Sequence, residues 1–182
     1  MKGKRACLSG ATAVVVLTLG ARSVDAADPL TCHGRPATYV GTEGADRIDI
    51  KGNAGQVIVA LGGDDFIKTR AGKDVVCGGN GDDSINTGGS REDRAFGGAG
   101  NDTIILAELA RGEGDDDSLT TIGFTKDDLD GGAGNDFISA AGRPDVIAGG
   151  NDALDGGDGV DFCGGNSGID TAVDCEATLD VP

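Results

Sequence analysis

The chain has 182 residues, of which 34 are glycine, one is tyrosine and none is tryptophan, and it carries a formal charge of −16. So little aromatic material excludes a conventional thick core, and 31 acidic against 15 basic residues exclude nucleic acid and anionic membranes as natural partners while favouring bound cations. Acidic, glycine-rich composition otherwise reads as disorder, which is the expectation for a metal-free chain.

At the N-terminus, Lys2, Lys4 and Arg5 precede an apolar stretch centred on Ala11 to Leu19, followed by Val24-Asp25-Ala26-Ala27. This charged, apolar and small-residue order is that of a secretory signal peptide, residues 1–26, with cleavage expected after Ala26. The apolar part is too short to span a bilayer comfortably, so no membrane span is expected and the destination is extracellular. Cys7 leaves with the signal and has no lipidation context.

Residues 27–40 read as an N-terminal cap. Four cysteines remain beyond the signal, Cys32, Cys77, Cys163 and Cys175, an even number suited to an oxidising compartment. Three pairings are possible, and Cys32 with Cys77 plus Cys163 with Cys175 is preferred because it closes one loop at each end of a repeat array. No CxxC spacing occurs and His33 is the only histidine, which argues against zinc.

The array begins in residues 41–105, which carry a nine-residue period, cleanest in Gly78-Gly79-Asn80-Gly81-Asp82-Asp83-Ser84-Ile85-Asn86 and repeated from Gly97. Fixed-period self-similarity indicates a solenoid. With the aspartate in sixth place and the aliphatic residue in eighth, successive units supply Asp46/Ile48, Asp65/Ile67, Asp74/Val76, Asp83/Ile85, Asp93/Ala95 and Asp102/Ile104. The unit from Ile50 has Val57 at the aliphatic place and Gly55 instead of the aspartate, and Arg91 stands where a turn glycine is expected.

Residues 106–130 break the pattern. Leu106 to Arg111 has mild helical character, Gly112 to Asp117 is a charged turn-like run, and Thr120 to Phe124 suits a short strand. The segment is expected to be an insertion or loop leaving the repeat stack. The period returns in residues 131–182, with Asp136/Ile138, Asp145/Ile147, Asp152/Leu154, Asp161/Cys163 and Asp170/Ala172 before a C-terminal cap; Arg143 occupies another turn-glycine place.

Glycines in places one, two and four permit a tight turn, and the last three residues alternate as a strand does. Two repeats then make one flattened coil, and residues about eighteen apart stack. Asp65 is expected over Asp83, Asp152 over Asp170, Asp74 facing Asp93 and Asp83 facing Asp102. Across a shortened unit, Asp136 should face Asp152 and Asp145 should face Asp161. Carboxylates stacked at strand spacing repel unless a cation lies between them, and oxygen-only ligation suits Ca²⁺ better than Mg²⁺.

The motif Gly-Gly-x-Gly-x-Asp-x-aliphatic-x resembles the hemolysin-type calcium-binding (RTX) nonapeptide repeat over residues 41–105 and 131–173. The resemblance implies an all-β fold, a parallel β-roll (a right-handed β-solenoid) with an interrupting excursion. It also implies several Ca²⁺ ions held by turn carbonyls and by Asp46, Asp65, Asp74, Asp83, Asp93, Asp102, Asp136, Asp145, Asp152, Asp161 and Asp170. Relatives often carry a catalytic domain, but here no room remains for one, a Ser-His-Asp triad would have to use His33, and no HExxH occurs. The expectation is a secreted, non-enzymatic calcium-binding roll, with an adhesive or matrix scaffold using 106–130 for recognition as the alternative and an accessory repeat module of a secreted hydrolase as a less favoured one. The partner is left open by the sequence.

Overall fold

The computed structural model describes residues 29–122, 126–141, 152–165 and 170–179. The signal-peptide segment, Arg143, Asp145 and Ile147 lie outside the described residues. No helix occurs among those described, and none is long and apolar enough to cross a membrane.

Two very short strands, β1 (Thr31–Cys32) and β2 (Arg35–Pro36), form an antiparallel hairpin. From there the chain alternates between two eight-stranded parallel sheets, one strand to each in turn. The first sheet holds β3 (Tyr39–Val40), the second β4 (Arg47–Asp49), and so on through β5 (Val57–Gly62), β6 (Phe66–Lys68), β7 (Val75–Asn80), β8 (Ser84–Asn86), β9 (Arg94–Ala99) and β10 (Thr103–Ile105). The alternation continues with β11 (Leu109–Gly114), β12 (Ser118–Ile122), β13 (Asp128–Ala133), β14 (Phe137–Ala141), β15 (Ala153–Asp158), β16 (Phe162–Gly164), β17 (Thr171–Val173) and β18 (Ala177–Leu179). This is a parallel β-solenoid, as the repeat predicts.

The core between the sheets is one side chain deep on each side. The second sheet contributes a ladder in strict register, Ile48, Ile67, Ile85, Ile104, Leu119 and Ile138, all buried. Facing it are Ile58, Val76, Ala95, Ala110, Leu129 and Leu154 of the first sheet. In these strands the residue two places after the turn's last residue therefore points inward, while its neighbours in the strand point out. A second apolar cluster lies on the outer face of the first sheet, where the hairpin brings Cys32 against Val59, Val75 and Phe96. The Cys32–Cys77 and Cys163–Cys175 disulfides both form.

Three expectations are corrected. The described part of residues 106–130 does not leave the stack: β11 pairs with β9 and β13, and β12 with β10 and β14. The segment from Gly112 is a repeat unit whose glycines at places two and four are replaced by Glu113 and Asp115, which take φ of 81° and 71°. The fold imposes the left-handed turn on residues that do not advertise it; of Leu106 to Arg111, Leu106 takes a φ of 64° and Leu109 to Arg111 lie in β11, where neighbouring strands offer ladder partners. Secondly, Ile58 and not Val57 faces the core; Val57 packs in the outer cluster. The unit thus slips by one, and Gln56 instead of Gly55 stands at the sixth place, its N–H donating to Asp74. Thirdly, the stacking after Asp136 steps 25 residues to Asp161, and Asp152 stacks on Asp127, again 25 residues away, so Asp136 does not face Asp152 and the expected facing of Asp161 with Asp145 is replaced.

Candidate metal centre

Every repeat strand is entered from a turn, and the last turn residue before the strand is the sixth of the repeat. Its side chain bends back over the turn, and its Oδ1 accepts the backbone N–H of the equivalent residue one coil earlier. Along the edge leading into the second sheet this links Asp46, Asp65, Asp83, Asp102, Asp117, Asp136 and Asp161 at 2.7–2.8 Å per step. Glu176 closes the row, accepting from Asp161 at 2.6 Å. Along the opposite edge Gln56 donates to Asp74, Asp74 to Asp93, Asp127 to Asp152 and Asp152 to Asp170 at 2.7–3.0 Å.

Ten of the eleven sequence-predicted aspartates thus lie on the two edges; the eleventh, Asp145, lies outside the described residues. Asp117 and Asp127 were missed, together with Glu176. Asp117 was legible in principle, since Gly112, Gly114, Asp117 and Leu119 keep places one, three, six and eight filled as in the unit from Gly97, apart from a glycine where alanine stands. Asp127 has Gly123 at place two of its unit but Ile122 and Thr125 where glycine is expected at places one and four.

The first edge carries a second ladder of exposed fifth-place residues running the opposite way. Asp82 donates its N–H to Asp64 at 3.1 Å, Asn101 to Asp82, Asp116 to Asn101 and Asn135 to Asp116 at 2.7–2.9 Å. Each coil is therefore stitched to the next in both directions by acidic or amide side chains.

At Asp46, the first rung of the inner ladder, Oδ2 accepts the Thr42 N–H at 2.6 Å; from Asp65 to Asp161 only one carboxylate oxygen of each rung is used. Oδ2 of Asp65, Asp83, Asp102, Asp117, Asp136 and Asp161 is buried with no hydrogen-bond partner in the chain. Leaving such a group unmatched is costly. At Gly78, Gly97, Gly112 and Gly131, each five places before one of these aspartates, an added methyl would collide with its Oδ2. Glycine is needed there for the space it leaves, not only for its backbone freedom.

The electrostatics agree with the geometry. Burial raises the carboxyl groups of Asp65 and Asp102 to about 7, Asp83 to about 6 and Asp117 to about 8, against the opposing ladder N–H and with neighbouring carboxylates adding to the rise. Asp136 is raised for the same reasons. Buried carboxyl groups held in a column with an oxygen to spare are a ready set of hard donors, which fits Ca²⁺. Among the described residues no three carboxylate, thiolate or imidazole groups converge on one point, so a cation here must take much of its coordination from turn carbonyls.

The family model for the RTX calcium-binding nonapeptide repeat matches the chain in four copies, at residues 50–85, 87–106, 123–142 and 148–172. It passes over 107–122, the stretch in which Glu113 and Asp115 replace glycine. No curated protein and no solved structure matches the chain.

Proposed function

Because this chain belongs to the family of RTX calcium-binding nonapeptide repeat proteins, we propose that it is a secreted calcium-binding protein whose roll folds as it takes up several Ca²⁺ ions along its stacked turns. The single observation that carries this reading is the column of buried carboxylate oxygens, Oδ2 of Asp65 through Asp161, left without a partner in the chain. Ca²⁺ would supply the positive charge that lets neighbouring carboxylates ionise together in a buried row. The residues proposed to face it are those with the open oxygen, Asp65, Asp83, Asp102, Asp136 and Asp161 as anticipated from the repeat, with Asp117 added.

Coupling to folding follows from the thinness of the core. A row one side chain deep returns little apolar burial for each residue ordered, and glycine-rich turns lose the most backbone freedom. Metal binding to the folded form alone then shifts the balance by mass action. Secretion is supported by two disulfides, which persist in oxidising compartments. We read no catalytic role, and the idea of 106–130 as a protruding recognition loop loses its loop, since β11 and β12 belong to the sheets. Isothermal calorimetry of the chelator-stripped chain with Ca²⁺ tests the reading. Saturable binding of several ions is expected, in the roughly millimolar range of extracellular modules; no binding heat up to about ten times that concentration would overturn it.

A further inference from the structure

The two edges of the roll differ in the residue that precedes each turn. On the edge of Asp83 and Asp117 that residue is glycine in five of the six turns whose Oδ2 is unpartnered, and Ala60 in the sixth. On the opposite edge the turns leading to Asp74, Asp93 and Asp127 are entered through Thr69, Thr87 and Thr121, all buried.

Those threonines consume the oxygens that a cation would need. The Thr69 hydroxyl donates to the Thr87 carbonyl at 2.9 Å and the Thr87 hydroxyl to the Leu106 carbonyl at 2.6 Å. Thr121 donates to Oδ2 of Asp127 at 2.6 Å, and Oδ2 of Asp93 accepts the N–H of Ser90 at 2.8 Å. The turns differ in charge as well. Where the first edge carries Asp64, Asp82 and Asp116 in fifth place, the opposite edge carries Lys73, Glu92 and Lys126, with Arg70 and Arg91 nearby. The Lys73 ammonium pairs with Glu92 at 2.6 Å. Positive charge and satisfied acceptors both disfavour a divalent ion.

Resting on the calcium reading above, we propose that this roll binds Ca²⁺ along one edge only, that of Asp65 to Asp161, and that the edge of Asp74 and Asp93 is a metal-independent seam closed by the chain's own hydroxyls. The determinant is the residue before the turn. Glycine there leaves the carboxylate oxygen open to a cation, and threonine fills the space and donates to an oxygen within the chain. As the roll forms, metal would then close one side of each coil while the chain's own hydroxyls close the other.

The test compares Asp83→Asn and Asp117→Asn with Asp74→Asn and Asp93→Asn in the full mature chain. Asparagine keeps the Oδ1 acceptor of the ladder and replaces only Oδ2, so the coil stacking is preserved. Bound calcium per chain is counted by equilibrium dialysis with atomic absorption. Each acidic-edge variant is expected to lose at least one ion, and each opposite-edge variant to keep the full complement. An equal loss from both edges overturns the one-edge assignment while leaving calcium binding intact; no ion bound by the unsubstituted chain overturns calcium binding itself. Should a variant fail to fold, anomalous scattering from crystals of the calcium-loaded unsubstituted protein decides, with peaks on one edge expected and peaks along both contradicting the proposal.

Discussion

The backbone N–H of Asp102 donates to Oδ1 of Asp117 at 2.8 Å, across a separation of 15 residues. Other steps of the same ladder span 18, 19 or 25 residues. The ladder therefore keeps its spatial register while the chain between its rungs changes length. Asp117 stands in the same relation to its turn as Asp83 and Asp102 do, with Oδ2 buried and unpartnered. Asp117→Asn should raise the calcium concentration at the folding midpoint about tenfold, equivalent to about 1.4 kcal/mol. An unchanged midpoint in a calcium titration would show that Asp117 is not a working rung.

The placement of 106–130 in the roll has its own test. Leu119 is fully buried between Ile104 and Ile138. Leu119→Ala should destabilise the calcium-loaded protein by about 3 kcal/mol, within the usual range for a truncated core leucine. A surface loop would tolerate the change with almost no loss in denaturant unfolding.

The stability of the metal-free roll should depend on pH in the reverse of the ordinary sense. Asp65, Asp83, Asp102 and Asp117 are raised from 3.8 to between about 6 and about 8 by burial and by neighbouring carboxylates. A carboxyl group raised on folding favours the fold fully below its unfolded value, and that contribution is lost as pH rises through its folded value. In chelator, β structure should be greatest near pH 4 and fall away by about pH 8. Calcium affinity should weaken below about pH 7, because protons then compete for the same oxygens. Far-UV circular dichroism at fixed chelator and at fixed calcium measures the two trends, and parallel trends would contradict the assignment.

Glu113 takes φ of 81° at a place that Gly79, Gly98 and Gly132 fill in neighbouring coils. A non-glycine residue in that region costs about 1–2 kcal/mol. Its 3.8 Å contact with His33 is exposed and worth little. Glu113→Gly should therefore stabilise the calcium-loaded roll by about 1 kcal/mol, read as a raised denaturation midpoint.

The Cys32–Cys77 disulfide closes a separation of 45 residues and holds the hairpin over the outer apolar cluster. Replacing both cysteines by alanine should cost about 3–4 kcal/mol on a chain-entropy basis and expose Val59 and Phe96. Increased binding of a hydrophobic dye by the double variant, together with the lower midpoint, checks both halves of that expectation.

Much of the roll was legible from spacing alone. The period of nine set the solenoid, Ile48 to Ile104 set one wall of the core, and the aspartates from Asp65 to Asp102 set the rungs. Legibility failed where the fold overrides local preference. Glu113 and Asp115 hide a turn by occupying left-handed positions without being glycine, so Asp117 and Leu119 looked like part of a loop. Val57 and Ile58 are both β-branched and adjacent, so nothing local chose between them; the hairpin packed against the outer face did. The longer step from Asp136 to Asp161 is set by strand pairing between coils, which spacing along one chain does not report. The difference between the edges was also present in the sequence, as glycine against threonine before the turn, but it acquires meaning only when the stacked positions are known.

Calcium uptake and formation of the roll should be one event. Titrating the chelator-stripped mature chain with Ca²⁺, while recording calorimetric heat and far-UV circular dichroism on the same preparation, tests this most directly. Coincident transitions are expected, with little β structure before them and full β signal after. A spectrum already complete in chelator, and unchanged as calcium binds, would contradict it.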